Sequence, residues 1–334
     1  MKSSARWKKE LVPVVSSSKK ALLVGDNPFH NISHLSQDRM RARDESVTKP
    51  EHAASLVLMS LDNGANGFMF SVSEETLSIL KVIHEKGETE RLSLYPIVPY
   101  AYEYVQLATQ SGGIPGLAKR FAKQIVLSGN LGALATGFKG VVWTDPVSLM
   151  KTYLTYEVSR IRSSAGKKAN IASVVLHEIV TDLALALNLD WFFKAYVDFV
   201  SKTGATPGFN TCNFAYLLDK FDKWDIDPCK TVIASPFNKV GFQMNPSKTA
   251  CEEALKKCQG PVLIGISILA AGYLKLEEAV DYIAALPNVK GVAAGVSKEK
   301  HAQETFRLLD QRLRVKQATH DRVSVDFSSD SNIE

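Results

Sequence analysis

Eight short runs rich in β-branched, aromatic and small residues, spaced along the chain with helix-like stretches between them, limit what this sequence can fold into. They are ALLVGDNPF (21–29), GANGFMFSV (64–72), RLSLYPIVPY (91–100), NIASVVLHEI (170–179), ATPGFNTCN (205–213), TVIASPFNK (231–239), PVLIGISI (261–268) and KGVAAGVS (290–297). Near-continuous apolar strands bounded by polar residues are what a parallel sheet covered by helices requires. Eight of them close into a barrel, so the expected fold is α/β, a (β/α)8 TIM barrel. Segments at 50–64, 74–87, 187–204, 245–258, 275–287 and 298–313 have helical periodicity, and several stop at Gly or Pro.

The 334 residues fit a single barrel domain over 21–313, flanked by a basic N-terminal arm (1–20) and a polar C-terminal tail (314–334). Residues 101–169 separate the third and fourth strands by more than one crossover helix and read as an insertion. Within it, Asp145-Pro146 suits a helix start running through LMKTYLTYEVSRIR. An excursion on that face suits a lid; extra packing or a homo-oligomer contact are the alternatives.

The arm carries Lys2, Arg6, Lys8, Lys9, Lys19 and Lys20 against Glu10, which accounts for the whole net charge of +5 and leaves the body neutral. A folded basic face for nucleic acid is therefore not expected. No apolar run reaches the ~20 residues of a membrane span. The arm lacks a secretory core, so a cytoplasmic location is expected. Cys212, Cys229, Cys251 and Cys258 form no CxxC pair and lie at no zinc-ligand spacing with histidine, so no metal site is indicated.

In this fold the loops after the strands build the active site, so polar residues just past strand ends are the candidates. Asp26, Asn27, His30 and His34 follow the first strand. Asp26 suits a base or a carboxylate orienting a histidine, and His30 suits proton transfer near neutral pH; a turn before Pro28 explains the same residues structurally. His177 closes the fourth strand, with Glu178 on the opposite side by strand alternation. The third strand offers Tyr95, Tyr100 and Glu103, the fifth Asn210 and Asn213, the sixth Ser235, Asn238 and Lys239. Lys239 suits either a Schiff base or an exposed cation. Ser267, Gly295, Ser297 and Lys298 follow the last two strands, where barrels hold phosphate through backbone N–H groups and a helix N-terminus. Small residues there also serve packing and capping.

SVVLHEI, GFNTCNF and GVAAGVSKEKHAQETF together make the second half resemble the aldo-keto reductase family. The resemblance implies His177 as the active-site histidine, Asn213 as a contact to nicotinamide, and Ser297 with Lys298 as the clamp on the NADPH 2′-phosphate. It stops at the second and third strands. GFMFSVSEE offers Met69, Phe70 and Ser71 where that family carries an aspartate and a nearby tyrosine acid, and SLYPIVPY offers no lysine. A proton donor would then come from Tyr95, Tyr100 or His30. The resulting expectation is a lyase or isomerase acting on a small phosphorylated or carboxylated metabolite, with Asp26, His30, His177 and Tyr95 as catalytic groups. The alternatives are an NADPH-dependent reductase with an atypical site and an inactive barrel that binds a metabolite or partner.

Overall fold

The hydrogen-bonded strands form a ring. In a computed structural model that describes residues 20–30, 45–99, 146–258 and 260–326, β1 (Ala21–Gly25) pairs in parallel with β2 (Gly67–Ser71), and β2 with β3 (Ser93–Val98). The fourth position is an interrupted strand, β4 (Asn170–Ile171) and β5 (Ser173–Leu176), both paired with β3. The ring continues through β6 (Thr206–Asn210), β7 (Val232–Pro236), β8 (Val262–Ile266) and β9 (Val289–Gly295), and β9 returns to β1. Counting β4 and β5 as one gives the eight parallel positions of a TIM barrel, as the sequence predicts.

Helices enclose the ring: α1 (Pro50–Asp62), α2 (Glu74–Glu85), α3 (Pro146–Ala165), α4 (Glu178–Ala186), α5 (Asp190–Lys202), α6 (Phe214–Lys223), α7 (Lys248–Lys257), α8 (Leu276–Ala285) and α9 (Glu299–Asp326). Their starts follow local chemistry. Ser73 and Thr76 form a reciprocal capping box on α2, Ser247 accepts the Ala250 N–H of α7, and α1 opens on a proline.

Three boundaries differ from the sequence expectation. Helix α3 packs between α2 and α5 and so occupies the normal crossover position between β3 and the fourth strand. The remainder of the expected insertion, residues 101–145, lies outside the described residues, as do residues 1–19. Helix α9 runs on to Asp326, past the expected boundary at 313, and α4 begins at Glu178 directly behind His177. The step from strand to helix falls one residue earlier than alternation through Glu178 implies.

Alternation along each strand divides the core in two. Leu22, Val24, Phe68, Phe70, Leu94, Val174, Phe209, Ile233 and Val292 point outward into the large layer against the helices. Leu23, Met69, Val175, Val232, Ala234, Ile264 and Ala293 point inward as a separate small cluster, joined by Tyr95, Ile97 and Ile266. Where strands and helices must approach closely, side chains vanish: a Cβ on Gly67 would lie 2.5 Å from the Ser93 carbonyl oxygen. Outside β6, Phe209 stacks on Phe193 at 5.5 Å and meets Phe221 and Tyr196 edge-on. Phe209→Ala is expected to lower stability by about 3–5 kcal/mol, measured by denaturant unfolding, because all of these rings lose a partner that cannot be replaced by relaxation.

Candidate active site at the barrel mouth

The segment after β1 folds back on itself. Asp26 leaves the strand, Pro28 enters a 3-10 turn (Asn27–His30), and the Phe29 N–H donates to the Asp26 carbonyl at 2.8 Å while the Phe29 ring is buried near Phe68. That turn returns His30 over Asp26, with Nε2 3.0 Å from Asp26 Oδ2; both side chains are almost fully buried, at 3% and 5% exposure. The same oxygen accepts the Ser71 backbone N–H at 2.6 Å, so Asp26 ties the end of β2 to the end of β1. Burial disfavours the charged form of His30, but the hydrogen bond and charge of Asp26, with Glu75 beyond, outweigh it and hold the imidazole pKa above its ordinary value.

His177 reaches the same mouth from the fourth strand. Its N–H donates to the Val98 carbonyl at 2.7 Å, and its Nδ1 caps α4 by accepting the Ile179 N–H at 3.2 Å. Burial pushes its pKa down, and the charge of Asp26 offsets only part of that. The electrostatic reach of Asp26 thus extends to both histidines. With Nδ1 used as an acceptor, the neutral ring carries its proton on Nε2, as a donor.

Tyr95 faces the lumen among the inward cluster, and burial raises its pKa. Asn210 is the lateral neighbour of His177, because Leu176 pairs with Phe209 and the next residue on each strand faces inward. Gly25 and Gly295 pair beside them, and Pro28 closes over Gly295, where a Cβ would come within 2.9 Å of its ring. Gly295 therefore serves close packing as well as lying at the mouth.

Other candidates lie elsewhere or do different work. Ser235 points outward, its hydroxyl donating to the Thr211 carbonyl at 2.8 Å. Asn238 is fully buried and staples its own loop, donating to the Phe242 carbonyl at 2.9 Å and accepting its N–H at 2.8 Å. Lys239 is an exposed cation paired with Glu278 at 2.6 Å, far from the dry setting a Schiff-base lysine needs. Asn27 is exposed at the start of the 3-10 turn. His34, Tyr100 and Glu103 lie outside the described residues.

Asn213 donates its side-chain amide to Asp182 at 3.0 Å, and Asp182 also accepts the Thr211 hydroxyl and the Cys212 N–H. Burial pushes the Asp182 pKa up against these three donors. Sequence reasoning missed this carboxylate. The signal was available: Asp182 lies five positions after His177, one turn into a helix that had not been predicted. Among the described residues no metal-holding group of three or more His, Cys, Asp or Glu occurs.

At the other side of the mouth, Ser267 lies half-buried with φ 51°, and Ala270 and Ala271 also adopt left-handed backbone, at 46° and 59°. Ser297 and the exposed Lys298 stand at the start of α9. A cleft of about 400 Å³ opens at the opposite end of the barrel, between Arg162, Lys167, Lys168 and Thr203. It precedes the strands and contains none of these histidines, so the chemistry is placed by the titratable groups, not by the size of a cleft. No described helix is long and apolar enough to cross a membrane.

No protein-family model and no curated protein matches the chain. Among solved structures, a protein from Pseudomonas aeruginosa assigned as an aldo-keto reductase superposes with TM-score 0.56 at 12% identity, covering 87% of this chain and 90% of that one. A second structure from the same organism, also assigned as an aldo-keto reductase, gives 0.54 with the same identity and coverage. A protein from Anabaena variabilis assigned as a sugar phosphate isomerase/epimerase gives 0.42 at 8% identity over 91% of this chain and 99% of that one. At 12% identity the likeness to the first two establishes the TIM-barrel fold alone.

Opposed tuning of the histidines is open to direct measurement. In a proton NMR titration His30 is expected to lose its proton above pH 6.5 and His177 below it, and Asp26→Asn is expected to bring His30 down. Because the folded pKa of His30 is raised, its contribution to stability is fully present below about pH 6.5 and disappears as pH rises through the folded value. The melting-temperature gap between wild type and His30→Ala should therefore widen as pH falls from 8 to 6.

Proposed function

We propose that the protein is an enzyme that acts on a small anionic carbonyl compound by general acid–base chemistry, as a lyase or isomerase. The observation that carries this reading is that two histidines at one barrel mouth, both within the influence of Asp26, are tuned in opposite directions. Titratable pairs pushed apart in this way supply an acid and a neutral polar group at one pH. His177, kept neutral with its proton on Nε2, would donate a hydrogen bond to a carbonyl oxygen and stabilise charge as it develops there. His30, kept charged by Asp26, would deliver a proton to that oxygen or, once deprotonated, receive one from the adjacent carbon. Ser297, Lys298 and the N-terminus of α9 offer a place for the anionic end of the substrate.

A second reading, an NADPH-dependent reductase, is favoured by Ser297 and Lys298 at the start of α9 and by the barrel plan. Bound nicotinamide would supply hydride to the carbonyl. The residues fit that cofactor at the phosphate end only. At the chemical end, Ser71 and Tyr95 stand on β2 and β3 without the tyrosine and lysine pair, and the Asn213 amide nitrogen is already committed to Asp182. His30 would then have to be the proton donor.

The two readings separate in one experiment. Small phosphorylated and carboxylated hydroxy-carbonyl compounds are incubated with the protein in heavy water, and deuterium entry beside the carbonyl is followed by NMR, with NADPH oxidation followed in parallel. Exchange that falls by about 100-fold or more in His30→Ala and in His177→Ala supports the lyase or isomerase reading. NADPH oxidation without exchange supports the reductase. Neither signal, with both variants folded, leaves a binding barrel without catalysis.

A further inference from the structure

Several polar side chains buried on the outer side of the barrel are satisfied: Ser235 and Tyr196 bond to backbone carbonyls, Thr76 completes a capping box, and Asn238 staples its loop. Two buried on the inner side are not. The oxygen of Asn210 is buried with no hydrogen-bond partner, and so is the hydroxyl of Ser173, which faces inward on the neighbouring strand. Among the described residues nothing bonds to the hydroxyl of Tyr95 or the hydroxyl of Ser71, and His177 leaves Nε2 unpaired at the top of the same wall.

Register places these groups together. Asn210 is beside His177, Met69 pairs with Tyr95, and Ser71 lies two residues above Met69 on the same face. Around them the upper lumen is lined by uncharged residues, Gly25, Ile97, Ala234, Ile266 and Ala293. Among the described residues, no inward-facing strand position carries Lys, Arg, Asp or Glu. A buried amide oxygen without a partner is unfavourable, and one that shares a lumen with the unpaired hydroxyls of Tyr95 and Ser71 marks a place whose partners come from a ligand.

We infer that the lumen beneath His177 is a hydroxyl-recognition subsite, in which Asn210, Tyr95 and Ser71 bind the neutral hydroxylated portion of the substrate. An amide, a phenol and an alcohol each accept and donate, as each substrate hydroxyl does, whereas an uncharged lumen gives nothing to hold a carboxylate or phosphate. The substrate class is therefore a short polyhydroxylated carbonyl compound, its hydroxyls directed down into the barrel and its anionic end left at the rim. This deepens the proposed function and rests on it for the carbonyl, but not for binding.

Calorimetry on the full chain with erythritol 4-phosphate and n-butyl phosphate tests it, since neither ligand has a carbonyl and only the first has hydroxyls on its chain. The polyol phosphate is expected to bind at least about tenfold more tightly, a difference of about 1.4 kcal/mol. That preference should shrink to about twofold or less in Asn210→Leu and fall in Tyr95→Phe, while His177→Ala retains it. Without ligand, Asn210→Leu should not lower the melting temperature, since it removes an unpaired polar group; a structural role for Asn210 would lower it. If Asn210→Leu does not fold, Tyr95→Phe carries the test alone. Equal binding of the two phosphates, tighter binding of the butyl compound, no binding of either, or an unchanged preference in both variants would overturn the inference. A preserved preference with no deuterium exchange would retain this subsite and remove the acid–base reading instead.

Discussion

One carboxylate oxygen, Asp26 Oδ2, accepts the N–H that ends β2 and the ring of His30 at once, in a setting nearly closed to water. The mouth is organised around that atom. It joins two neighbouring strands where the barrel opens, fixes a histidine that would otherwise be neutral when buried, and extends its charge to His177 across the lumen. Removing one partner from a buried pair typically costs about 3–5 kcal/mol, and the 3-10 turn, with Phe29 buried against Phe68, positions His30 to keep the pair intact. Preorganised charge of this kind needs no rearrangement when a substrate's own charge develops.

The surrounding barrel divides its polar groups by task. Outside, Ser235, Tyr196, Thr76 and Asn238 are tied to backbone or to another side chain, which stiffens the scaffold. Inside, near His177, the Asn210 oxygen and the hydroxyls of Tyr95 and Ser71 have no partner among the described residues. The outer layer carries the large aromatic contacts, centred on Phe193, Phe209 and Phe221, and can tolerate an inner layer that is less well satisfied.

The fold likeness to aldo-keto reductases coexists with a different chemical end. Those barrels and this one share the fold, and here β2 ends at Ser71 with Met69 inward below it, while β3 carries Tyr95 and no lysine. A barrel separates scaffold from site, since the loops and strand ends vary without disturbing the ring. Shared architecture is for that reason compatible with unrelated chemistry.

Period and punctuation in the sequence were enough for the eight strands and most of the helices, and for placing Asp26 and His177 just past strand ends, because burial of a parallel strand demands a continuous apolar run and its end demands polar residues. Long-range register decided the rest. Ser235, Asn238 and Lys239 sit at strand ends as expected, but parity and loop closure turn them away from the lumen, which no local pattern reports. Asp182 belongs to a short helix hidden by the apolar run before it, and its partners lie about 30 residues away in the chain. The opposite tuning of two histidines with the same intrinsic chemistry is likewise tertiary: it depends on which of them folding brings to within 3.0 Å of a buried carboxylate and which it caps onto a helix.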